Sequence, residues 1–139
     1  MPTSDQVPIS AGGTATVGNG DVVIVYGTTG ATLKRLISGT VNVYIPVANP
    51  PTQDKKLSNI EVECAGTDGA AVDALMVTFG AASVFSQSGL NKTQDFTVRV
   101  TGASRQADMN PYGIDVTLTV NLPTKCATME IQSVTLYFA

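Results

Sequence analysis

Ile114-Asp115-Val116-Thr117-Leu118-Thr119-Val120-Asn121-Leu122 alternates apolar and polar residues without a break over nine positions. Successive side chains of a strand point to opposite faces, so this is the signature of a strand with one face in a core and the other in water. A helix would need the apolar residues three and four apart, and none of the chain's longer apolar runs keeps that spacing. The run therefore predicts an all-β protein.

Shorter runs of the same kind lie on either side of it. Val41, Val43, Ile45 and Val47 share one face of a strand that ends before Asn49-Pro50-Pro51, since consecutive prolines cannot donate to a ladder. Leu57 opens a strand in which Ile60, Val62 and Cys64 point inward and Glu61 and Glu63 outward. Asp68-Gly69 is a hairpin pair, and Leu75, Val77 and Phe79 carry the apolar face on the return. Val84-Phe85 reads as a short edge piece, and Phe96, Val98 and Val100 alternate with Thr97, Arg99 and Thr101. In the final run Met129 and Ile131 have one parity, whereas Val134, Leu136 and Phe138 have the other. One extra residue near Gln132-Ser133, a β-bulge, restores a single apolar face; burial of both faces is the alternative.

Seven or eight strands at this spacing predict a two-sheet antiparallel β-sandwich, with a closed β-barrel as the alternative. Residues 1–20, rich in Gly and Ser, read as an irregular or loosely paired lead-in to a single sandwich domain over 21–139. Val22-Val23-Ile24-Val25-Tyr26 is apolar on both faces. It is either a central strand covered twice or a strand whose outer face, through Val23 and Val25, meets another subunit.

Composition narrows the function. The 139 residues are 43% hydrophobic and only 14% charged, with a net charge of −3, whereas about 25% of an average domain is charged. Hydroxyl and amide side chains replace the missing charges, as in many extracellular, virion and assembled proteins. The eight Lys and Arg residues are scattered, so no basic stripe exists to neutralise phosphates, and nucleic acid is not expected as a partner. Nor is membrane insertion, because no apolar stretch approaches the length of a spanning helix. The N-terminus carries no basic and apolar leader pattern. A cytoplasmic protein, a virion protein and a trimmed secreted chain are all compatible with that.

The chain has no His and no Trp. Absence of His removes the commonest general base and most transition-metal sites, and no nucleophile elbow or phosphate loop stands in a workable context. No cofactor, metal or catalytic residue is assigned, and the protein reads as a non-enzyme. Cys64 and Cys126 fit no zinc pattern; they are either a disulfide or two thiols acting as small hydrophobes. Glu61 and Glu63, alternate residues on one strand face, are the only pair with the spacing of glycosidase carboxylates, although such pairs are ordinary on solvated strands. Asp21, Asp68 and Asp73 border turns but form no calcium-type cluster. Tyr44, Phe85 and Tyr112 are the aromatic candidates for stacking a sugar ring.

Several of these segments together have a recognisable layout. Ile45-Pro46-Val47 is followed by Lys56-Leu57, Val77-Thr78-Phe79-Gly80, Tyr112-Gly113-Ile114-Asp115-Val116 and a closing strand from Ile131 to Phe138. Over residues 39–138 this resembles a family of small bacterial β-sandwich proteins of unknown function. The chain departs from that pattern by lacking its usual Trp and His and by carrying Pro46 to Pro51 in place of a tighter turn. The resemblance implies a sandwich and brings no catalytic residues with it. The expected role is a non-catalytic structural or protein-interaction domain that associates with itself or with another protein. The alternatives are a carbohydrate-binding module with a glycan partner and, further off, a His-free hydrolase.

Overall fold

The computed structural model describes residues 6–18, 20–36, 39–49, 55–100 and 113–139. The strands in chain order are β1 (Val7–Gly12), β2 (Val17–Gly18), β3 (Val22–Tyr26), β4 (Ala31–Arg35), β5 (Thr40–Val47) and β6 (Leu57–Thr67). They continue with β7 (Ala71–Phe79), β8 (Ala82–Gln87), β9 (Gln94–Arg99), β10 (Ile114–Asn121) and β11 (Thr128–Phe138). All pairings are antiparallel and fall into two sheets. Sheet A runs β3-β4-β11-β6-β9 with β1 also on β11, and sheet B runs β2-β5-β10-β7-β8. Each sheet keeps open edges, so the domain is a β-sandwich and not a closed barrel. No helix among the described residues is long and apolar enough to cross a membrane.

The opening nonapeptide is the centre of sheet B. Ile114, Val116, Leu118 and Val120 are buried, and β5 and β7 flank them with Val43, Ile45, Leu75 and Val77. Facing them from sheet A are Ile60 and Val62 of β6 and Ile131, Val134, Leu136 and Phe138 of β11. The Phe79 and Phe138 rings stack across the two sheets at a centroid distance of 6.4 Å. Asp68 and Gly69 both have positive φ, 54° and 84°, as the tight hairpin between β6 and β7 requires.

The expected bulge is present. On β6 the partner of Ile131 is Cys64 and that of Ser133 is Glu63, so Gln132 is the extra residue. It lets Ile131 and Val134 both point inward although their parity differs. The bulge also divides β11: residues before it pair with β4, and residues from Ser133 onward pair with β1 along the same edge. Two glycines close in where the neighbours change. A Cβ on Gly13 or on Gly30 would overlap the Ile131 carbonyl oxygen.

Within the lead-in, Val7–Gly12 forms a regular strand. Val7, Ile9 and Ala11 alternate inward, and all six residues of β1 are in register with β11. Pro8 is tolerated because β1 has a partner on one side only. The eleven strands among the described residues exceed the seven or eight expected, through β1, β2 and β4. β3 is not a doubly covered central strand either. Val22 and Ile24 pack on the core, but Val23 and Val25 are 40% and 51% exposed, and β3 is an edge.

Gly13→Ala should lower stability by roughly 2–3 kcal/mol or more, because backbone cannot yield as a side chain can. Gly12→Ala should fall within about 0.5 kcal/mol of the parent, as Gly12 has φ −70° and only Thr14 Oγ1 nearby, 3.7 Å from its would-be Cβ. Urea unfolding of the two variants checks this.

Candidate functional site

Chemistry on a sandwich must come from the outer sheet faces, the edges or the loops, because the inner faces are filled. The outer face of sheet B is set by register. Tyr44 of β5 lies opposite Val17 of β2 on one side and Thr117 of β10 on the other. Thr117 is in turn opposite Met76 of β7, and Met76 opposite Ser86 of β8. One row, Val17-Tyr44-Thr117-Met76-Ser86, thus crosses all five strands. Tyr44 is half-buried between its neighbours, which leaves part of the ring open. The row beside it holds Asn42, Thr119 and Ala74; Thr119 donates to Asn42 Oδ1 at 2.7 Å. The row on the other side holds Pro46, Asp115 and Thr78, and Thr78 donates to the Asp115 carbonyl at 3.4 Å. A row that holds one aromatic ring, Val17 and Met76, with an amide and a hydroxyl on one side and a carboxylate and a hydroxyl on the other, can take a ligand that is apolar on its flat face and polar at its rim.

The outer face of sheet A is different. Glu61, Glu63, Asp95, Phe96 and Thr97 line an open cleft of about 280 Å³ between β6 and β9. Two of its carboxylates are already engaged: Glu63 Oε1 accepts from Ser133 at 2.6 Å, and Asp95 Oδ1 accepts from the Cys64 backbone N–H at 2.8 Å. The second bond satisfies a donor freed where β6 bulges against β9 between Val62 and Ala65. Asp95 is thus a structural partner of the bulge. No group of three or more metal-ligating side chains occurs among the described residues.

The aromatic candidates separate. Tyr44 faces outward, as its parity predicts. Phe85 does not: it lies opposite the inward-facing Val77, beyond a bulge at Val84, and packs against the core. Counting parity across β8 without that bulge misplaces its ring. Tyr112 lies outside the described residues. Sequence reasoning missed Val17 and Met76, which join Tyr44 only through strand pairing. It also missed Tyr137, which is half-buried on the outer face of sheet A between Pro8 and Asn59. Tyr26 is exposed, but its hydroxyl is tied to the Thr16 carbonyl at 2.6 Å.

The cysteines are not bridged. Cys64 is buried on the inner face of β6 and donates to the Gln94 carbonyl at 3.4 Å, whereas Cys126 is exposed in the β10–β11 turn. Burial, and secondarily the Asp95 carboxylate, push the Cys64 thiol up to about 11 from an ordinary 9.0.

No protein-family profile matches the sequence, and no curated protein matches it. Solved structures do. A low-affinity xylan-binding module of Roseburia intestinalis has a TM-score of 0.60 at 14% identity, covering 96% of each chain. A family 29 carbohydrate-binding module from Piromyces equi gives 0.54 at 9% identity, over 96% of this chain and 91% of that one. A xylan-binding module of family 15 gives 0.51 at 19% identity, over 95% and 90%. The likeness is one of fold. It runs the length of the chain and confirms the sandwich.

A thiol reagent should label one cysteine rapidly in the native protein and two after denaturation, and Cys126→Ser should abolish the rapid reaction. Because the folded state holds Cys64 protonated above the pH at which the unfolded chain loses that proton, stability should decline as pH rises from about 9 towards 11. Denaturant titrations of Cys64→Ala across that range should show a shallower slope.

Proposed function

We propose that this domain is a non-catalytic glycan-binding module whose ligand lies across the outer face of sheet B, on the Tyr44 ring. The row through Tyr44 carries the reading. At about 4.8 Å per strand, five strands make a band on the order of 19 Å wide, enough for a short oligosaccharide lying at right angles to the strands. The C–H face of a sugar would stack on Tyr44 and lie along Val17 beside it and Met76 two strands away. Its hydroxyls would meet Asn42 and Thr119 along one side and Thr78 and Asp115 along the other. Asn42 accepts from Thr119 through its oxygen, and its amide nitrogen carries two donors.

Other observations agree with this reading. The surface is poor in charge and rich in hydroxyl and amide groups, which suits a neutral ligand. Three of the similar sandwiches are two xylan-binding modules and a family 29 carbohydrate-binding module. A binding role also accommodates the lack of His and the engagement of Glu63 by Ser133, both of which speak against a hydrolase built on Glu61 and Glu63. The broader reading, a structural or protein-interaction domain, gives no reason for an outward Tyr44 ring flanked by hydrogen-bonding rows.

Affinity electrophoresis in soluble xylan and β-glucan, followed by calorimetry with xylohexaose and cellohexaose, tests the proposal. Tyr44→Ala should weaken binding about tenfold or more, or about 1.4 kcal/mol, with the melting temperature little changed. Phe85→Ala should lower the melting temperature and leave the affinity of the folded protein intact. Absence of binding to every glycan would overturn the reading. So would binding lost in Tyr137→Ala and kept in Tyr44→Ala, which would move the ligand to sheet A.

A further inference from the structure

We propose that β3 pairs antiparallel with β3 of a second copy of this chain, joining the two A sheets across a two-fold axis at Ile24. The proposal concerns a different surface from the glycan face and does not depend on it. An unpaired strand edge is a template for another strand, and proteins normally blunt it with charge, proline, bulges or shortness. The other open edges among the described residues are blunted in these ways. β9 carries Asp95 and Arg99, β1 carries Pro8, β8 is bulged at Val84, and β2 has only two residues. β3 has none of these protections: Val22-Val23-Ile24-Val25-Tyr26 is regular, uncharged and free of Pro and Gly, and among the described residues it pairs only with β4.

The occupant is argued from self-complementarity. A two-fold at Ile24 sets Val23 of one copy opposite Val25 of the other, twice, and Val22 opposite Tyr26. The four half-exposed valines then form one apolar cluster on the outer face, and β-branched pairs of this kind stabilise neighbouring strands. The charges permit it as well. Lys34 lies beside Val23 and Thr32 beside Val25, so each row across the junction reads Lys34, Val23, Val25, Thr32, with the last two from the second copy. The two Lys34 side chains stand in different rows, three strand spacings and two residues apart, or roughly 16 Å. That is about twice the Debye length at physiological ionic strength, so their repulsion is screened.

Five paired residues per copy bury much less than the roughly 1,200 Å² of a stable interface. The association is therefore weak and reversible, with dimer appearing in the high micromolar range.

Sedimentation velocity of the full chain from 10 to 500 µM tests it, with variants that read the register. Positions 23 and 25 are outward and half-exposed, so charge there leaves the fold intact, which circular dichroism and the melting temperature verify. The parent should show weight-average mass rising with concentration. V23K/V25K, which opposes lysines across the junction, should stay monomeric. V23E/V25K, which opposes glutamate to lysine twice, should recover the dimer at low salt. A parent that is monomeric at 500 µM would overturn the proposal, as would a V23K/V25K variant that still dimerises. A V23E/V25K variant no better than V23K/V25K would overturn the stated register. Binding of an unrelated extended peptide to β3 by a parent that remains monomeric would reassign the edge to another partner.

Discussion

The close contact at Ile131 and Gln132 of β11 decides the arrangement of sheet A. One inserted residue reverses the parity of the strand, so that Met129 and Ile131 before it and Val134, Leu136 and Phe138 after it all reach the core. At the same place the strand exchanges one neighbour for another on the same edge. Backbone must come close to backbone for that exchange, and Gly13 and Gly30 permit it by having no Cβ where the Ile131 carbonyl lies. A single strand thereby holds together β1, β4 and β6, and through them the edges β3 and β9.

This arrangement was legible in the sequence only in part. The alternation from Ile114 to Leu122, the Asp68-Gly69 turn and the phase change near Gln132-Ser133 each carry a local signal strong enough to be read without a structure. β1 and β2 do not. Pro8 argues against a strand over Val7, Ile9 and Ala11, and the strand exists because β11 offers it a template, which no window of sequence records. For β3 the two-sided apolarity leaves two readings open, a strand covered twice or one whose outer face meets another subunit. The structure excludes the first: one face packs on the core and the other, through Val23 and Val25, is exposed.

The candidate site divides along the same line. Parity alone places Tyr44 on an outer face, because β5 is regular. A bulge at Val84 sets Phe85 opposite the inward-facing Val77, and the row through Tyr44 joins residues from five strands far apart in sequence. Strand pairing also separates the two outer faces chemically. The strands of sheet B carry two charged residues, Asp73 and Asp115. The outer face of sheet A carries Glu61, Glu63 and Asp95, two of which are committed to hydrogen bonds within the sheet. A neutral, flat ligand finds complementary surface on the first and little on the second.

The position of β11 in chain order has a kinetic meaning. It is the last strand in sequence, yet three earlier strands need it as their partner, and its pairing with β1 closes a loop from Val7 to Phe138. Non-local pairings of that kind make folding slow, since the chain entropy is lost before the contacts that reward it are made. During synthesis sheet B can assemble once β10 is available, while β4 and β6 wait with bare edges. In that interval the chain has its own sparse charges to keep it from pairing with the wrong strand.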